Sequence, residues 1–543
     1  MDQAVIAREL ARGHGYHSEV VRPYAWEQFI HGGLAKPVQD QADTWEPPLP
    51  SLVLAPVFGM LKSRWEPAGL DKPFPLDRVV ACVSILFLLA ALGVSCQIVM
   101  RLFDRRVATW MMVGLLLCQP LWDAARSGLA PMMVLFIMSA MLLLFVLGLE
   151  RAEEDQNATV MALLIGMMGA AMVLTQWMAF WIVVGIAIAA ASYLRPRVLT
   201  TVLVLAPSVL MLVGWGIRSH IVCGDYIGAQ KATVLAMLSP VGDTWLLRGF
   251  GPVQAPIDLM FLVRKVAFNL AEQTSSLSSY LGSPLAVLFF VSVLHPFKRP
   301  KVAAFRWALF LAWLCALVGM CFVGLPDKGT DDRQIHLPFL PMMMAYGLAF
   351  LAVLWSRLVP QGLNWWRRHG AMAAGVFVSA LPMLTSLPLE MTAGLSVNRD
   401  FAHWPPYLPG RIAKVRDFTE EKELLLSDAP WAVAWYADRY TVWFPQERSQ
   451  FRQIQEIAKS LGNPIVGAII TPYSVKVNYV GEVFQNEYSD WARVVLAGPN
   501  RGLGVDLLVQ SDFPFQAALP LAGQMSGEQL SAYILFVADH RRW

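Results

Sequence analysis

Long runs of apolar residues alternate along this chain with short charged connectors. A bilayer crossing takes about 20 mainly apolar residues at a helical rise of about 1.5 Å each. Such runs occupy 79–100, 128–149, 198–217, 307–325, 337–356 and 371–389. The stretch 158–194 is 37 uncharged residues, enough for two spans joined by a tight turn near Thr175, Gln176 and Trp177. Weaker runs at 107–122 and 273–294 bring the predicted count to ten. The run 50–61 is too short to cross and predicts an interfacial or re-entrant helix.

Beyond about residue 390 the pattern changes. Short β-type runs at 424–428, 431–437, 441–445, 465–471, 491–497 and 505–510 surround an amphipathic helical stretch at 447–461. Apolar strands around a helix predict a small α/β domain. The Pro- and Trp-rich segment 403–410 reads as its linker. The expected organisation is an outward N-terminal segment with interfacial helices at 1–76, a helical membrane domain at 77–390 with an outward loop at 218–272, and an α/β domain at 391–543. The fold class is thus a polytopic α-helical membrane protein with a C-terminal soluble α/β domain.

Composition supports this reading. Of 543 residues, 56% are hydrophobic and only 15% are charged, against roughly 25% charged in soluble domains. A soluble enzyme of this length would need a charged skin that this chain lacks. The net charge of +3 and the absence of a Lys/Arg block give no sign of nucleic-acid binding. The six cysteines show no Cys-x-x-Cys and no Cys/His metal spacing. No metal site is predicted, and whether a divalent ion is needed stays open.

Basic residues in short loops set the orientation. One set of loops holds Arg101, Arg105, Arg106, Arg151, Arg195, Arg197, Lys298, Arg299, Lys301, Arg306, Arg357, Arg367 and Arg368; the opposite set holds only Arg126, Lys328 and Arg333. The first set therefore reads as cytoplasmic. The N-terminal segment, loop 218–272 and the α/β domain then face outward. No hydrophobic signal precedes Asp2, so the N-terminal segment is expected either to be translocated as an N-out tail or, the favoured reading, to follow an upstream signal-anchor span.

Candidate chemistry sits at the outward ends of the spans, where charged groups are costly unless paired or used. Residues 1–16 read as an amphipathic helix stopped by Gly13 and Gly15. Asp2 lies at its start, and Asp43 and Glu46 lie in an acidic turn before the interfacial helix. These carboxylates suit general-base work on an acceptor hydroxyl; equally, Asp2 caps a helix and Glu46 is a solvated turn residue. Arg126 either binds a phosphate or pairs with Asp123. Arg333 and His336 lie at the mouth of a span, with Asp327, Asp331 and Asp332 as alternative partners. Arg218, Lys231, Arg248, Arg264 and Lys265 in or beside the outward loop are further cations for a lipid headgroup.

The order of these features resembles the GT-C superfamily of polyprenyl-phosphate-dependent glycosyltransferases, nearest the bacterial aminoarabinose transferases and protein O-mannosyltransferases. Asp2-Gln3-Ala4…Ala7-Arg8-Glu9-Leu10…Gly13…Tyr16 is similar to that family's first exported loop, with Gln3 where the family has a second acid. Glu46-Pro47-Pro48-Leu49 resembles its Pro-Pro-Leu box, and Leu76-Asp77-Arg78-Val79 the start of its next span. Arg101 to Arg106 and Arg333-Gln334…Pro338…Pro341 resemble later motifs.

The resemblance implies a sugar carried on polyprenyl phosphate as donor and a glycan, lipid or protein as acceptor, in the bacterial inner membrane. It makes Asp2 the catalytic base, with Asp43 or Glu46 as second acid. It makes Arg126, Arg333, His336, Arg264 and Lys265 the donor-phosphate cations. The other reading is a non-catalytic relative whose outward domain binds a partner or glycan. A transporter is disfavoured because no ionisable residue lies deep in a span.

Overall fold

The computed structural model describes residues 1–61, 74–251, 259–323, 335–358, 364–395, 408–475, 483–497, 513–522 and 534–543. Two compact units result: Met1–Val79 with Trp215–Asp258 and Val397–Trp543, and Val80–Gly214 with Leu259–Ser396.

The second unit is helical. Six helices are long and apolar enough to cross a membrane: Pro75–Leu102, Ala130–Glu153, Arg197–Cys223, Pro300–Val323, Leu337–Arg357 and Arg368–Pro388. Arg105–Leu116 and Gln119–Ser127 form a pair bent by 57°, which makes seven if counted as one span. The predicted turn inside 158–194 is present, with helices Thr159–Thr175 and Phe180–Tyr193 separated at Gln176 to Ala179. Both are shorter than a full crossing. The run 273–294 is not continuous. Gly282 adopts a φ of +76°, and the Ser283 hydroxyl accepts from Leu285 N to start a fresh helix, Pro284–Val293, with Pro at its first turn.

Close helix packing here rests on small residues, as expected where lipid supplies no hydrophobic drive between helices. A Cβ on Gly185 would lie 2.4 Å from Ala312 Cα, and one on Gly347 would lie 2.1 Å from Leu285 O. Elsewhere apolar side chains such as Leu86, Leu210 and Phe377 stay exposed, which suits contact with lipid.

The first unit is built on a six-stranded sheet. Its strands are β1 (Val20–Val21), β2 (Leu424–Ser427), β3 (Thr441–Trp443), β4 (Ile465–Ile470), β5 (Ala517–Ala522) and β6 (Ile534–Ala538), in the order β1-β3-β2-β4-β6-β5. The first four in that order run parallel, and β6 is antiparallel to both neighbours. Parallel neighbours need crossovers. The helix Pro430–Ala437 joins β2 to β3, and Arg448–Ser460 joins β3 to β4.

Two predicted β-type runs are therefore helices. Residues 431–437 lie in Pro430–Ala437, opened by a proline at its first turn, and 492–497 form Ala492–Ala497. The predicted run 505–510 and most of linker 403–410 lie outside the described residues. The N-terminal segment folds as the helix Asp2–Arg12, ended by Gly13 at φ 88°, followed by Pro23–His31 and then Pro48–Met60 in place of the expected interfacial run.

Candidate functional site

Three of the expected acids meet. Asp2 comes from the first turn of helix Asp2–Arg12, while Asp43 and Glu46 come from the turn before Pro48–Met60. Arg22, placed between β1 and Pro23, gathers them: it pairs with Asp2, reaches Asp43 Oδ2 at 3.4 Å and lies 3.6 Å from Glu46 Oε1. Its side chain and that of Asp43 are each 5% exposed. Asp43 is fixed by its own turn, Oδ1 accepting from Trp45 N at 2.9 Å and Glu46 N at 2.7 Å. Burial pushes the Asp43 carboxyl above the usual carboxylate range, opposed by Arg22 and these backbone donors.

Asp2 is less fully occupied. One carboxylate oxygen is held by Arg22; the other, Oδ1, is buried and has no hydrogen-bond partner among the described residues. A cavity of about 30 Å³, room for one water, is lined by Arg22, Asp43 and Gln41.

A second cation borders the acids. Arg218 Nη1 donates to Asp43 O at 2.9 Å, and its guanidinium lies over the rings of Trp215 at 4.3 Å and Tyr16 at 5.0 Å. Tyr16 in turn donates its hydroxyl to Glu46 O at 3.0 Å. Among the described residues the Arg218 guanidinium makes no other hydrogen bond. Arg22, by contrast, is shared by three carboxylates.

A separate buried charge network ties the N-terminal helix to the sheet. Arg8 donates to Glu19 Oε2 and to the carbonyls of Ala434 and Trp435, and lies 3.0 Å from Asp438. Arg12 grips both oxygens of Asp438 at 2.8 Å and pairs with Glu9. Against the upward push of burial, Arg8 and Arg12 hold the Asp438 carboxyl below the usual range. Glu9, Glu19 and Asp438 bring their oxygens within 4.8 Å of one another, but each already pairs with Arg8, Arg12 or both, and two cations among the carboxylates do not fit a metal site. Nearby, Asp77 accepts from Trp435 Nε1 at 2.6 Å and from the Tyr436 hydroxyl at 3.1 Å.

The expected phosphate cations fare differently. Arg126 is exposed and pairs with Asp123 at 2.6 Å. Arg264 is exposed and Lys265 half-buried on the helix Leu259–Ser275. His336 is buried and shares a hydrogen bond with Gln273. Arg333 lies outside the described residues. Arg126, Arg264, Lys265 and His336 all belong to the second unit, whereas the acids belong to the first. Sequence reasoning missed Arg22. Its only signal is a lone cation directly before a helix-opening proline, in a segment whose acids need a counter-charge.

No family model matches the chain, and no curated protein sequence matches it. Solved structures similar to it include the archaeal oligosaccharyltransferase AglB from Archaeoglobus fulgidus in complex with an inhibitory peptide and a dolichol-phosphate, at 12% identity over 90% of this chain and 71% of that one, with a TM-score of 0.46. The apo form of the Archaeoglobus fulgidus oligosaccharyltransferase aligns at 11% identity, over 91% of this chain and 70% of that one, with a TM-score of 0.47. ArnT from Cupriavidus metallidurans bound to undecaprenyl phosphate aligns at 12% identity over 98% of this chain and 96% of that one, with a TM-score of 0.46.

Proposed function

We propose that this chain is a membrane glycosyltransferase that moves a sugar from a polyprenyl-phosphate carrier to an acceptor hydroxyl on the outer face of the bacterial inner membrane. In this reading the chain makes ten crossings and its α/β domain faces outward. The observation that supports it most is the Asp2 carboxylate, clamped through one oxygen by Arg22 and unpartnered at the other, beside Asp43 and Glu46.

The chemistry follows from those groups. The acceptor O–H gives its proton to Asp2 Oδ1 as its oxygen bonds to the anomeric carbon. The bond from that carbon to the phosphate oxygen breaks, and polyprenyl phosphate leaves with the electron pair. Arg22 aims Asp2 through their ion pair, while Asp43 and Glu46 fix Arg22. Arg218 offers its guanidinium edge to the leaving phosphate, where a cation counts most as charge develops.

Asp2→Asn tests the reading directly. Transfer to an acceptor should fall by about 10²–10⁴-fold, while native mass spectrometry should still find polyprenyl phosphate bound to the purified variant. Undiminished transfer would exclude Asp2 as the base. A second reading, a non-catalytic relative, is favoured by the closure of Arg22 around three acids, which also describes a structural clamp. Under that reading the wild type binds no polyprenyl phosphate, and Asp2→Asn lowers thermal stability alone.

A further inference from the structure

Within the second unit, three neighbouring aromatic side chains carry buried polar atoms with no partner among the described residues: His336 Nδ1, the Tyr280 hydroxyl and Trp313 Nε1. The residues are 3%, 8% and 5% exposed. The His336 ring lies 5.9 Å from that of Tyr280 and 6.3 Å from that of Trp313, centroid to centroid. Native interiors leave few polar atoms unsatisfied, and each costs free energy to keep so. Three around one imidazole describe a place built for something that hydrogen-bonds.

The other side of the imidazole fixes what that is. His336 Nε2 sits 2.8 Å from Gln273 Oε1, and the Gln273 amide nitrogen donates to Cys321 Sγ at 3.4 Å. Asn269, one turn earlier on the same helix, donates to Cys321 O at 2.9 Å. Gln273 therefore spends its donor on the sulfur and turns its oxygen to the ring, so Nε2 carries the imidazole proton. Among the described residues no carboxylate is in contact with His336 to hold a second proton, and burial opposes the imidazolium. Nδ1 thus presents a lone pair. The vacant set is one acceptor, Nδ1, and two donors, the Tyr280 O–H and the Trp313 N–H.

We infer that Tyr280, Trp313 and His336 form a site for a neutral hydroxyl group, supplied by an ordered water or by a polyol ligand. A hydroxyl donates to Nδ1 and accepts from Tyr280 or Trp313. A phosphate would set its negative charge against the Nδ1 lone pair, so His336 serves here in place of the phosphate role that its position in the sequence suggested. The inference concerns the second unit alone and stands independently of the role given to Asp2.

The test is the sign of a stability change. Full-length wild type and Tyr280→Phe are unfolded thermally in a sugar-free detergent, in buffer alone, with added glycerol, and with added undecaprenyl phosphate. If the site holds a hydroxyl, the variant melts several degrees below wild type. A deficit already present in buffer identifies a resident water; one that appears only with glycerol identifies a polyol site. If the Tyr280 hydroxyl is an orphan in a dry core, deleting it raises the midpoint in every condition, and the inference fails. It fails also if undecaprenyl phosphate alone separates the two proteins. Should Tyr280→Phe not fold, histidine ¹⁵N NMR on wild type decides: Nδ1 as a hydrogen-bonded acceptor supports the site, and Nδ1 as a bare lone pair or a protonated nitrogen overturns it.

Discussion

Arg8→Met offers the sharpest test of how the first unit is held together. The side chain is 1% exposed, 2.8 Å from Glu19 Oε2 and 3.0 Å from Asp438 Oδ1, and it donates to two carbonyls at 2.7 and 2.8 Å. At an effective dielectric constant of about 20, each ion contact is nominally worth about 5 kcal/mol, most of it offset by the cost of stripping water from the charges. Methionine keeps the length of the stem but leaves Glu19, itself 4% exposed, with Arg12 at 3.5 Å as its remaining cation among the described residues. Removing one partner of a buried pair costs about 3–5 kcal/mol.

The loss should depend on pH. Burial already pushes Glu19 well above the usual carboxylate range, against the pull of Arg8. Without Arg8 the folded-state value rises further above the unfolded one, so Glu19 is protonated in the fold at low pH. That contribution disappears as pH rises through the folded value. Thermal unfolding followed by tryptophan fluorescence should therefore show a larger deficit at pH 8 than at pH 5. Adding Glu19→Gln to Arg8→Met should restore much of the loss by removing the stranded charge. Equal deficits at both pH values, or no recovery in the double variant, would refute the reasoning.

Two further outcomes follow from particular contacts. Asp428 is fully buried and accepts from Thr471 and Ser474, and burial pushes its carboxyl up to about 6. The folded state then binds its proton more tightly than the unfolded chain, so the Asp428 contribution to stability, about 3 kcal/mol in full, should be lost as pH rises from below about 4 to well above about 6; Asp428→Asn should flatten that slope in a pH series of melting curves. Gly185→Ala drives a methyl group into the backbone at Ala312 and should cost about 1–3 kcal/mol. Gly93→Ala, which meets nothing within 4 Å, should be close to neutral in the same thermal assay.

Much of the helical unit was legible because hydropathy and length speak directly to a bilayer. The break at Gln176 showed as a polar residue in an apolar run, and β2, β3 and β4 showed as short apolar runs. Residues 431–437 and 492–497 misled because a fully buried helix has no polar face, leaving the period unreadable. β1 escaped because a two-residue strand carries no pattern at all; its place is set by β3, which lies about 420 residues further on. The acids of the candidate site were readable from their motif positions. Their organiser Arg22 was not, since its contacts with Asp2, Asp43 and Glu46 are tertiary.

The joining of the N-terminal helix to the far sheet has a consequence in time. Arg8 and its acceptor at Trp435 are separated by 427 positions, which at roughly 5–20 residues per second take on the order of a minute to synthesise. Throughout that interval Arg8, Glu9, Arg12 and Glu19 lack Asp438 and the carbonyls that complete their lattice, and β1 lacks β3. The nascent segment must wait in a form that water or a chaperone keeps soluble. A ribosome that stalls before residue 440 therefore leaves an exposed charged stub for quality-control proteases to find, so burial of these charges reports that synthesis has passed β3.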